Sequence, residues 1–205
     1  TGTSGDDGND MSGLQISDDG EIVSFIRGHA PNRDGWIANP TSDPRGGERV
    51  VWAMSTQGGN PWRVVSMRDY TLSPDGRWVL YTREGQIYRA PVNSGLGAAE
   101  EGGAPFITNY GQNGSPTWSP DGSKVVFTSN TEENNFDLYM VDADGTNLRQ
   151  LTDLPGDEYA PAWSPDGKSI AFYHYEREAP RGEQRSAKIV HPEDKSVRTV
   201  FKEWQ

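Results

Sequence analysis

Three histidines are the side chains of this sequence best suited to bind a transition metal. His29 and His174 each stand at the start of a long polar segment, and a repeating fold can bring two such segments together. Neutral imidazole is a common metal ligand, but protein metal sites use three or four ligands. Ordinary loop histidines are therefore the favoured interpretation, and a metal site at His29 and His174 is the weaker alternative.

Acidic side chains gather in the same polar segments. They are Glu132, Glu133, Asp153, Asp157, Glu158, Glu176 and Glu178. Carboxylate oxygens suit calcium or attract a cationic partner, so calcium stays open as a cofactor, although a solvated acidic surface is favoured. The run Asp142-Ala143-Asp144-Gly145 resembles the start of a calcium loop, but a hairpin turn is the better interpretation.

Nucleophilic catalysis finds no support in the sequence. There is no Gly-x-Ser-x-Gly elbow and no cysteine that could serve as a nucleophile. We therefore assign no catalytic residue, and the expectation leans towards a chain without enzymatic activity of its own.

The longest polar segment, residues 27–48, contains the best candidate for a binding anchor. Trp36 lies there beside Arg33 and Asp34. Tryptophan and arginine are enriched among the residues that dominate binding energy at interfaces. Packing within the loop explains Trp36 equally well.

These candidate residues lie between copies of one repeated turn. Ser73-Pro74-Asp75-Gly76 recurs without change at residues 119–122 and 164–167, and residues 17–20 lack only the proline. Proline sets the backbone at the second turn position, and glycine accepts the positive φ of the last. A period of about 40–50 residues indicates a repeat architecture.

A strand that is apolar on both faces follows each turn. The repeated strand positions are Val23, Val79, Val125 and Ile170, then Ser24, Leu80, Val126 and Ala171, then Phe25, Tyr81, Phe127 and Phe172. Such a strand is packed between two layers rather than half exposed to water. Each blade of a β-propeller packs against two neighbours and so requires this pattern.

The sequence Trp163-Ser164-Pro165-Asp166-Gly167 with its following strand resembles the propeller repeat of TolB and of prolyl oligopeptidase-type peptidases. Residues 137–152 resemble the second half of the same WD-like repeat, and the resemblance extends from about Gly13 to Trp204. It implies an all-β fold of four TolB-like, four-stranded antiparallel blades, alone or as part of a larger ring. It also implies a periplasmic or extracellular location. Unrelated activities share this blade, so the resemblance constrains function weakly.

The repeated turns divide the chain into an arm and four blades. Residues 1–12 are small, polar and acidic, and we predict a flexible arm. The propeller is predicted over residues 13–205, with blades at about 13–66, 67–108, 109–153 and 154–204. Long insertions occupy residues 27–48 of the first blade and 174–185 of the fourth.

The order of strands in a blade predicts which loops share a face. In an antiparallel four-stranded blade, the link between strands two and three lies at the same end as the link between blades. Both insertions therefore share an end with the inter-blade loops, and function on repeat scaffolds concentrates where insertions occur. The predicted binding face consists of His29, Arg33, Asp34, Trp36, Asn109, Tyr110, Asp157, Glu158, Tyr159, His174, Glu176 and Glu178.

Composition excludes several classes of partner. A net charge of −11 argues against binding to nucleic acid or to anionic membrane surfaces. The absence of cysteine excludes disulfides and thiolate metal sites. No apolar run approaches the length of a membrane span. Because the chain begins at Thr1, we expect a processed, trimmed or internal piece.

The sequence favours a non-enzymatic module that binds a protein or peptide or serves a structural role. By resemblance, the main alternative is the substrate-gating propeller of a serine peptidase or related hydrolase whose catalytic domain lies elsewhere. A metal-dependent polysaccharide lyase that uses His29 and His174 is a third alternative. Self-association that completes a ring is a further expectation.

Overall fold

The computed structural model describes residues 11–27, 50–67, 69–92, 103–108, 111–130 and 135–202. Within these ranges the chain forms strands and contains no helix, so no described helix could cross a membrane. The strands are β1 (Met11–Ile16), β2 (Ile22–Arg27), β3 (Val50–Ser55), β4 (Trp62–Val65), β5 (Tyr70–Leu72), β6 (Trp78–Arg83), β7 (Gln86–Pro91), β8 (Ala104–Ile107), β9 (Asn113–Trp118), β10 (Lys124–Ser129), β11 (Asp137–Asp142), β12 (Arg149–Gln150), β13 (Asp157–Trp163), β14 (Ile170–Tyr175), β15 (Arg185–Val190) and β16 (Val197–Lys202).

Each run of four consecutive strands forms one antiparallel sheet. The sheets have the orders β1-β2-β3-β4, β5-β6-β7-β8, β9-β10-β11-β12 and β13-β14-β15-β16, and we name them blades 1 to 4. The prediction of an all-β fold with four four-stranded blades is confirmed. The first strand begins at Met11, two residues before the predicted start of blade 1. Residues 1–10 of the predicted arm lie outside the described residues.

The repeated turn joins the first two strands of every blade through one set of hydrogen bonds. In blade 3, Ser119 Oγ donates to Asp121 Oδ1 at 2.6 Å, and the Lys124 N–H donates to Ser119 Oγ at 2.9 Å. Gly122 has a φ of 69°, which glycine adopts without strain. The same serine–aspartate bond recurs at Ser17, Ser73 and Ser164. These aspartates therefore stabilise the turns.

The described residues form two compact units. The first lies within Thr1–Val79 and Arg89–Ala104, and the second within Leu80–Tyr88 and Pro105–Gln205. In the first unit, blade 1 contacts β5 where Tyr70 Oη is hydrogen-bonded to Ser24 Oγ at 2.8 Å. In the second unit, blades 3 and 4 enclose an apolar core of Val126, Leu138, Met140, Leu151, Ile170, Phe172 and Val190.

A bulge interrupts the first strand of blades 1, 3 and 4. It lies four residues before the serine of the turn, at Gly13, Ser115 and Ala160, where φ is 61°, 49° and 52°. The pairing with the second strand shifts at the same place in each blade. The bulge is thus a repeated feature of the blade rather than a local defect.

Candidate binding site at the loop end of blades 3 and 4

Half of the predicted binding face can be located. His29, Arg33, Asp34, Trp36, Asn109 and Tyr110 lie outside the described residues, as do Glu132 and Glu133. The structure brings the other predicted residues together on β13, the end of β14 and the loop that follows it, all in the second unit. These residues are Asp157, Glu158, Tyr159, His174, Glu176 and Glu178.

The inter-blade loop before β13 is fixed against the end of β14. Gly156 has a φ of 105°, and a Cβ at this position would lie 2.2 Å from the carbonyl oxygen of Tyr175. Only glycine fits so close to a backbone atom. On the other side, the Phe136 N–H donates to Asp157 Oδ1 at 3.0 Å. The loop between blades therefore has one defined path.

Two carboxyl groups from neighbouring blades are buried beneath this loop. Glu158 on β13 has no exposed surface, and Asp137 on β11 is 4% exposed. Glu158 Oε2 accepts a hydrogen bond from Thr152 Oγ1 at 2.7 Å, and Asp137 Oδ2 accepts one from Gln150 Nε2 at 3.1 Å. The other two oxygens, Glu158 Oε1 and Asp137 Oδ1, meet no donor group among the described residues.

The two side chains lie within hydrogen-bonding reach of each other, and they share one proton. Burial, and after it the negative charge of Asp137, raises the pKa of Glu158 to about 8. Burial also raises the pKa of Asp137, against a hydrogen bond from Glu158 that lowers it. Protonated Glu158 thus donates to ionised Asp137 near neutral pH, since two adjacent buried carboxylates do not both ionise. Glu158 therefore adds no negative charge to the predicted face.

The same two positions form a hydrogen-bonded pair in the preceding repeat. Asn113 on β9 is 3% exposed, and its Nδ2 donates to Gln86 Oε1 on β7 at 3.1 Å. The backbone pairing is also repeated, because the N–H of Asn113 donates to the Gly85 carbonyl and that of Glu158 to the Phe136 carbonyl. We name Gln86–Asn113 the amide clasp and Asp137–Glu158 the acid clasp.

Sequence reasoning missed both clasps, although a signal was present. Asn113 and Glu158 each stand five residues before the tryptophan that precedes the turn, and Gln86 and Asp137 each open a third strand. A polar residue repeated at one position of an otherwise apolar strand indicates a buried hydrogen bond.

His174 is a structural residue of this end of the blade. It is 4% exposed, and its Nε2 lies 2.8 Å from the carbonyl oxygen of Pro155, which can only accept. The proton is therefore on Nε2, and Nδ1 faces Ser186 Oγ at 3.4 Å. Burial lowers the pKa of His174, so the ring is neutral at pH 7.

The described residues do not fit a transition metal. Both ring nitrogens of His174 are engaged, and no group of three histidine or carboxylate ligands exists in the ranges that the structure describes. A metal site would require residue 29, which lies outside those ranges, and it stays a prediction.

Two serine–histidine contacts lack the geometry of a nucleophile and its base. Ser186 is buried beside His174 and cannot meet a substrate. Ser169 Oγ lies 3.1 Å from His191 Nδ1, but that nitrogen also lies 3.2 Å from the Lys168 carbonyl oxygen. In the tautomer that carries the proton on Nδ1, this nitrogen donates to the carbonyl and cannot accept the proton of Ser169.

Charged side chains of both signs cover the clasp and the buried histidine. Asp153 and Glu178 are exposed, whereas Asp157 and Glu176 are half-buried. The segment 174–185 balances its glutamates with arginines. These are Glu176, Glu178 and Glu183 with Arg177, Arg181 and Arg185. The site therefore combines a fixed frame with an exposed polar surface.

Residues 102–180 match the family model of the TolB beta propeller domain. The TolB homologue of Chlorobaculum tepidum is 36% identical over 136 residues, which cover 64% of this chain and 29% of that protein. The Tol-Pal system protein TolB of Anaeromyxobacter sp. strain K is 34% identical over 52% of this chain and 25% of its own length. The uncharacterized peptidase YuxL of Bacillus subtilis is 34% identical over 45% of this chain and 15% of its own. The matched part of this chain thus covers less than a third of the length of each of these curated relatives.

Solved structures show the same fold. TolB from Acinetobacter baumannii superposes with a TM-score of 0.65 at 16% identity, over 95% of this chain and 44% of that one. A puromycin-hydrolyzing peptidase of Mycobacterium tuberculosis gives a TM-score of 0.63 at 14% identity, over 96% of this chain and 33% of that one. The fold and the order of the strands within each sheet identify the chain as a β-propeller. Its repeats are TolB-like, as the turn and its following strand predicted.

Proposed function

We propose that this chain is a non-enzymatic β-propeller module that binds a protein or peptide through its loop face. The loop face is defined as residues 151–157 and 176–184. The proposal rests on the buried contacts beneath these loops. The acid clasp, Gly156 and His174 hold both loops in one arrangement, while charged side chains remain exposed above them. Rigid scaffolds that present exposed loops are the usual architecture of recognition surfaces.

The relatives support a polypeptide as the partner. Those from Anaeromyxobacter are named Tol-Pal system protein TolB. A periplasmic or extracellular location is part of the proposal and rests on the same resemblance. A net charge of −11 favours a partner segment with positive charge.

Labelled peptides of opposite charge test this proposal. We would measure fluorescence anisotropy of a lysine–alanine peptide and a glutamate–alanine peptide of equal length, titrated with the 205-residue chain. The lysine peptide should bind, and Glu176→Gln with Glu178→Gln should weaken it about fivefold, because two attractive charges are lost. Trp36→Ala tests the predicted anchor in the same titration.

Glu193→Gln is the matched control. Glu193 is also exposed, but it follows β15 at the end of the blade where the repeated turns lie. The control should bind as tightly as the unmodified chain. Equal losses in the control and in the loop-face variant, or no binding of either peptide, would contradict the proposed binding face.

A substrate-gating propeller of a serine peptidase is the second candidate. The match to the peptidase YuxL, at 34% identity, favours it. Sequencing the gene on both sides of these 205 residues tests it. A Gly-x-Ser-x-Gly elbow followed by the histidine and acid of a hydrolase domain would establish this candidate. A flanking sequence that contains only further blades would exclude it.

A further inference from the structure

Three repeats carry different pairs of side chains at the two clasp positions. The second repeat has the amide clasp and the third has the acid clasp, whereas Val50 and Met67 stand at the same sequence positions of the first. Val50 opens the third strand of blade 1, and Met67 lies five residues before the residue that precedes the turn of blade 2. A pair of carboxyl groups is therefore not a requirement of this position in the blade.

The acid clasp is the least favourable of these pairs to bury. Glu158 has no exposed surface and Asp137 is 4% exposed, and no described lysine or arginine forms an ion pair with either carboxyl group. Burying a carboxylate without a cationic partner costs much more than burying two amides that bond to each other. Packing alone thus leaves the choice of two acids unexplained, whereas the gain and loss of a proton accounts for it.

The loop before β13, residues 151–157, is held by the clasp itself. Thr152 Oγ1 donates to Glu158 Oε2 at 2.7 Å and accepts from the Leu138 N–H at 2.8 Å. Leu138 directly follows Asp137 on β11. One threonine of the loop therefore connects the strands that carry the two members of the clasp.

The other end of the loop is also bonded beside the clasp. The Phe136 N–H donates to Asp157 Oδ1 at 3.0 Å, and the Phe136 carbonyl accepts from the Glu158 N–H at 2.6 Å. Phe136 directly precedes Asp137. Movement of Asp137 away from Glu158 therefore pulls on both ends of the loop.

We propose that the acid clasp is a proton-controlled latch of the loop face, closed while Glu158 and Asp137 share one proton and opened when that proton leaves. Two carboxylates in one buried site repel each other, and they gain hydration only if the strands move apart. The open form releases Thr152 and Asp157, so the loop loses the arrangement that a partner binds. This regulation rests on the peptide-binding function proposed above.

Other charged groups surround the clasp on the elements packed against it. They are Asp153 and Asp157 of the loop, His174 of β14, and Glu176 and Arg185 where β14 ends and β15 begins. The strands β9, β10 and β12 contribute Asn113, Ser129 and Gln150 near the clasp, and none of these titrates. His174 pairs directly with Glu158, but burial lowers the pKa of His174, so its ring stays neutral above pH 7. A pH range of 7 to 9 therefore separates the clasp from His174.

The titration of the chain with the lysine–alanine peptide tests the latch when it is repeated at pH 7 and pH 9 with both peptide ends blocked. A pKa of about 8 leaves about a tenth of Glu158 protonated at pH 9, so we expect binding to weaken about tenfold. Glu158→Gln should remove this dependence on pH. So should Asp137→Asn combined with Glu158→Gln, which supplies the two amides that the second repeat already buries. Glu193→Gln is the matched control, and its binding should weaken as that of the unmodified chain does.

Nuclear magnetic resonance of the free chain separates failure of the latch from failure of the binding proposal. The amide resonances of Leu138 and Phe136, which donate to Thr152 and Asp157, should move with one midpoint between pH 7 and pH 9 and stay fixed in Glu158→Gln. Resonances that do not move would overturn the latch, whether or not the peptide binds. Binding that is unchanged or tighter at pH 9 would also overturn it, since an added negative charge without opening would attract the lysine peptide. Movement of both resonances with no binding of either peptide would refute the proposed function and leave the proton-dependent opening of the loop established.

Discussion

Glu158 is the residue whose protonation couples the stability of blades 3 and 4 to pH. Burial raises its pKa from 4.5 to about 8. Between these values the folded protein holds a proton that the unfolded chain has lost, so the free energy of unfolding falls as pH rises and levels off above pH 8. We expect the loss to be about 2–5 kcal/mol across this window.

Glu158→Gln isolates this effect. The amide has nearly the shape of the acid, can donate to Asp137 and can accept from Thr152, but it does not titrate. Urea unfolding of both proteins between about pH 5 and pH 9 should show that only the unmodified chain loses stability with the predicted slope. Parallel pH profiles for the two proteins would show that Glu158 holds no extra proton in the folded state.

His174 has the opposite dependence on pH. Burial lowers its pKa below 6.5, so the unfolded chain binds a proton at acid pH that the folded chain does not. Its contribution to stability is lost as pH falls below 6.5. Over part of one pH range, Glu158 and His174 therefore change the free energy of unfolding in opposite directions. Because both proteins contain His174, the difference in unfolding free energy between the unmodified chain and Glu158→Gln cancels the contribution of His174.

At the scale of the element, the bulge in the first strand places an alanine in a conformation that suits glycine. Ala160 has a φ of 52°, where a side chain costs about 1–2 kcal/mol. Blade 1 has Gly13 at the equivalent position. We expect Ala160→Gly to stabilise the protein by about 0.5–1 kcal/mol, because the relief of strain exceeds the entropic cost of glycine.

Ala162→Gly is the control in the same strand. Ala162 is also exposed and pairs with Ala171, but its φ is not positive. This substitution should destabilise the protein by about 0.5–1 kcal/mol, the usual cost of glycine in a strand. Urea unfolding at one pH compares the two variants, and equal destabilisation by both would argue against strain at Ala160.

The sequence was informative where structure is local and periodic. The turn at Ser119 and the strand after it repeat within a few residues, so their hydrogen bonds and two apolar faces could be predicted from spacing alone. The repeated polar position marks Glu158 as a candidate for a buried hydrogen bond, but it does not identify Asp137 as the partner, because the two residues come from different blades and meet only when two sheets pack. Glu158 looked like one more exposed charge beside Asp157, since sequence does not reveal which face of β13 is buried. Ser115 and Ala160 gave no sign of a bulge because neither is glycine.

At the scale of the whole molecule, sensitivity to pH is unevenly distributed. The acid clasp and His174 belong to the second compact unit. In the described part of the first unit, the groups with a shifted pKa are Asp19 and Tyr70. Hydrogen bonds from Ser17 and the backbone lower the pKa of Asp19, and burial raises the pKa of Tyr70 to about 12. Neither changes charge between pH 5 and pH 9, so deprotonation of the clasp should weaken the second unit selectively.

Hydrogen exchange of backbone amides tests this selectivity. We expect the protection of Leu138 and Glu158, corrected for the intrinsic effect of pH, to fall between about pH 6 and pH 9 as Glu158 loses its proton, since local opening reports local stability. Val51, buried in blade 1, should keep its protection over the same range. Glu158→Gln should abolish the change at Leu138 and leave Val51 unaltered. If all three amides lost protection together in the unmodified chain, the two units would unfold as one, and the effect of the clasp would extend through the whole molecule.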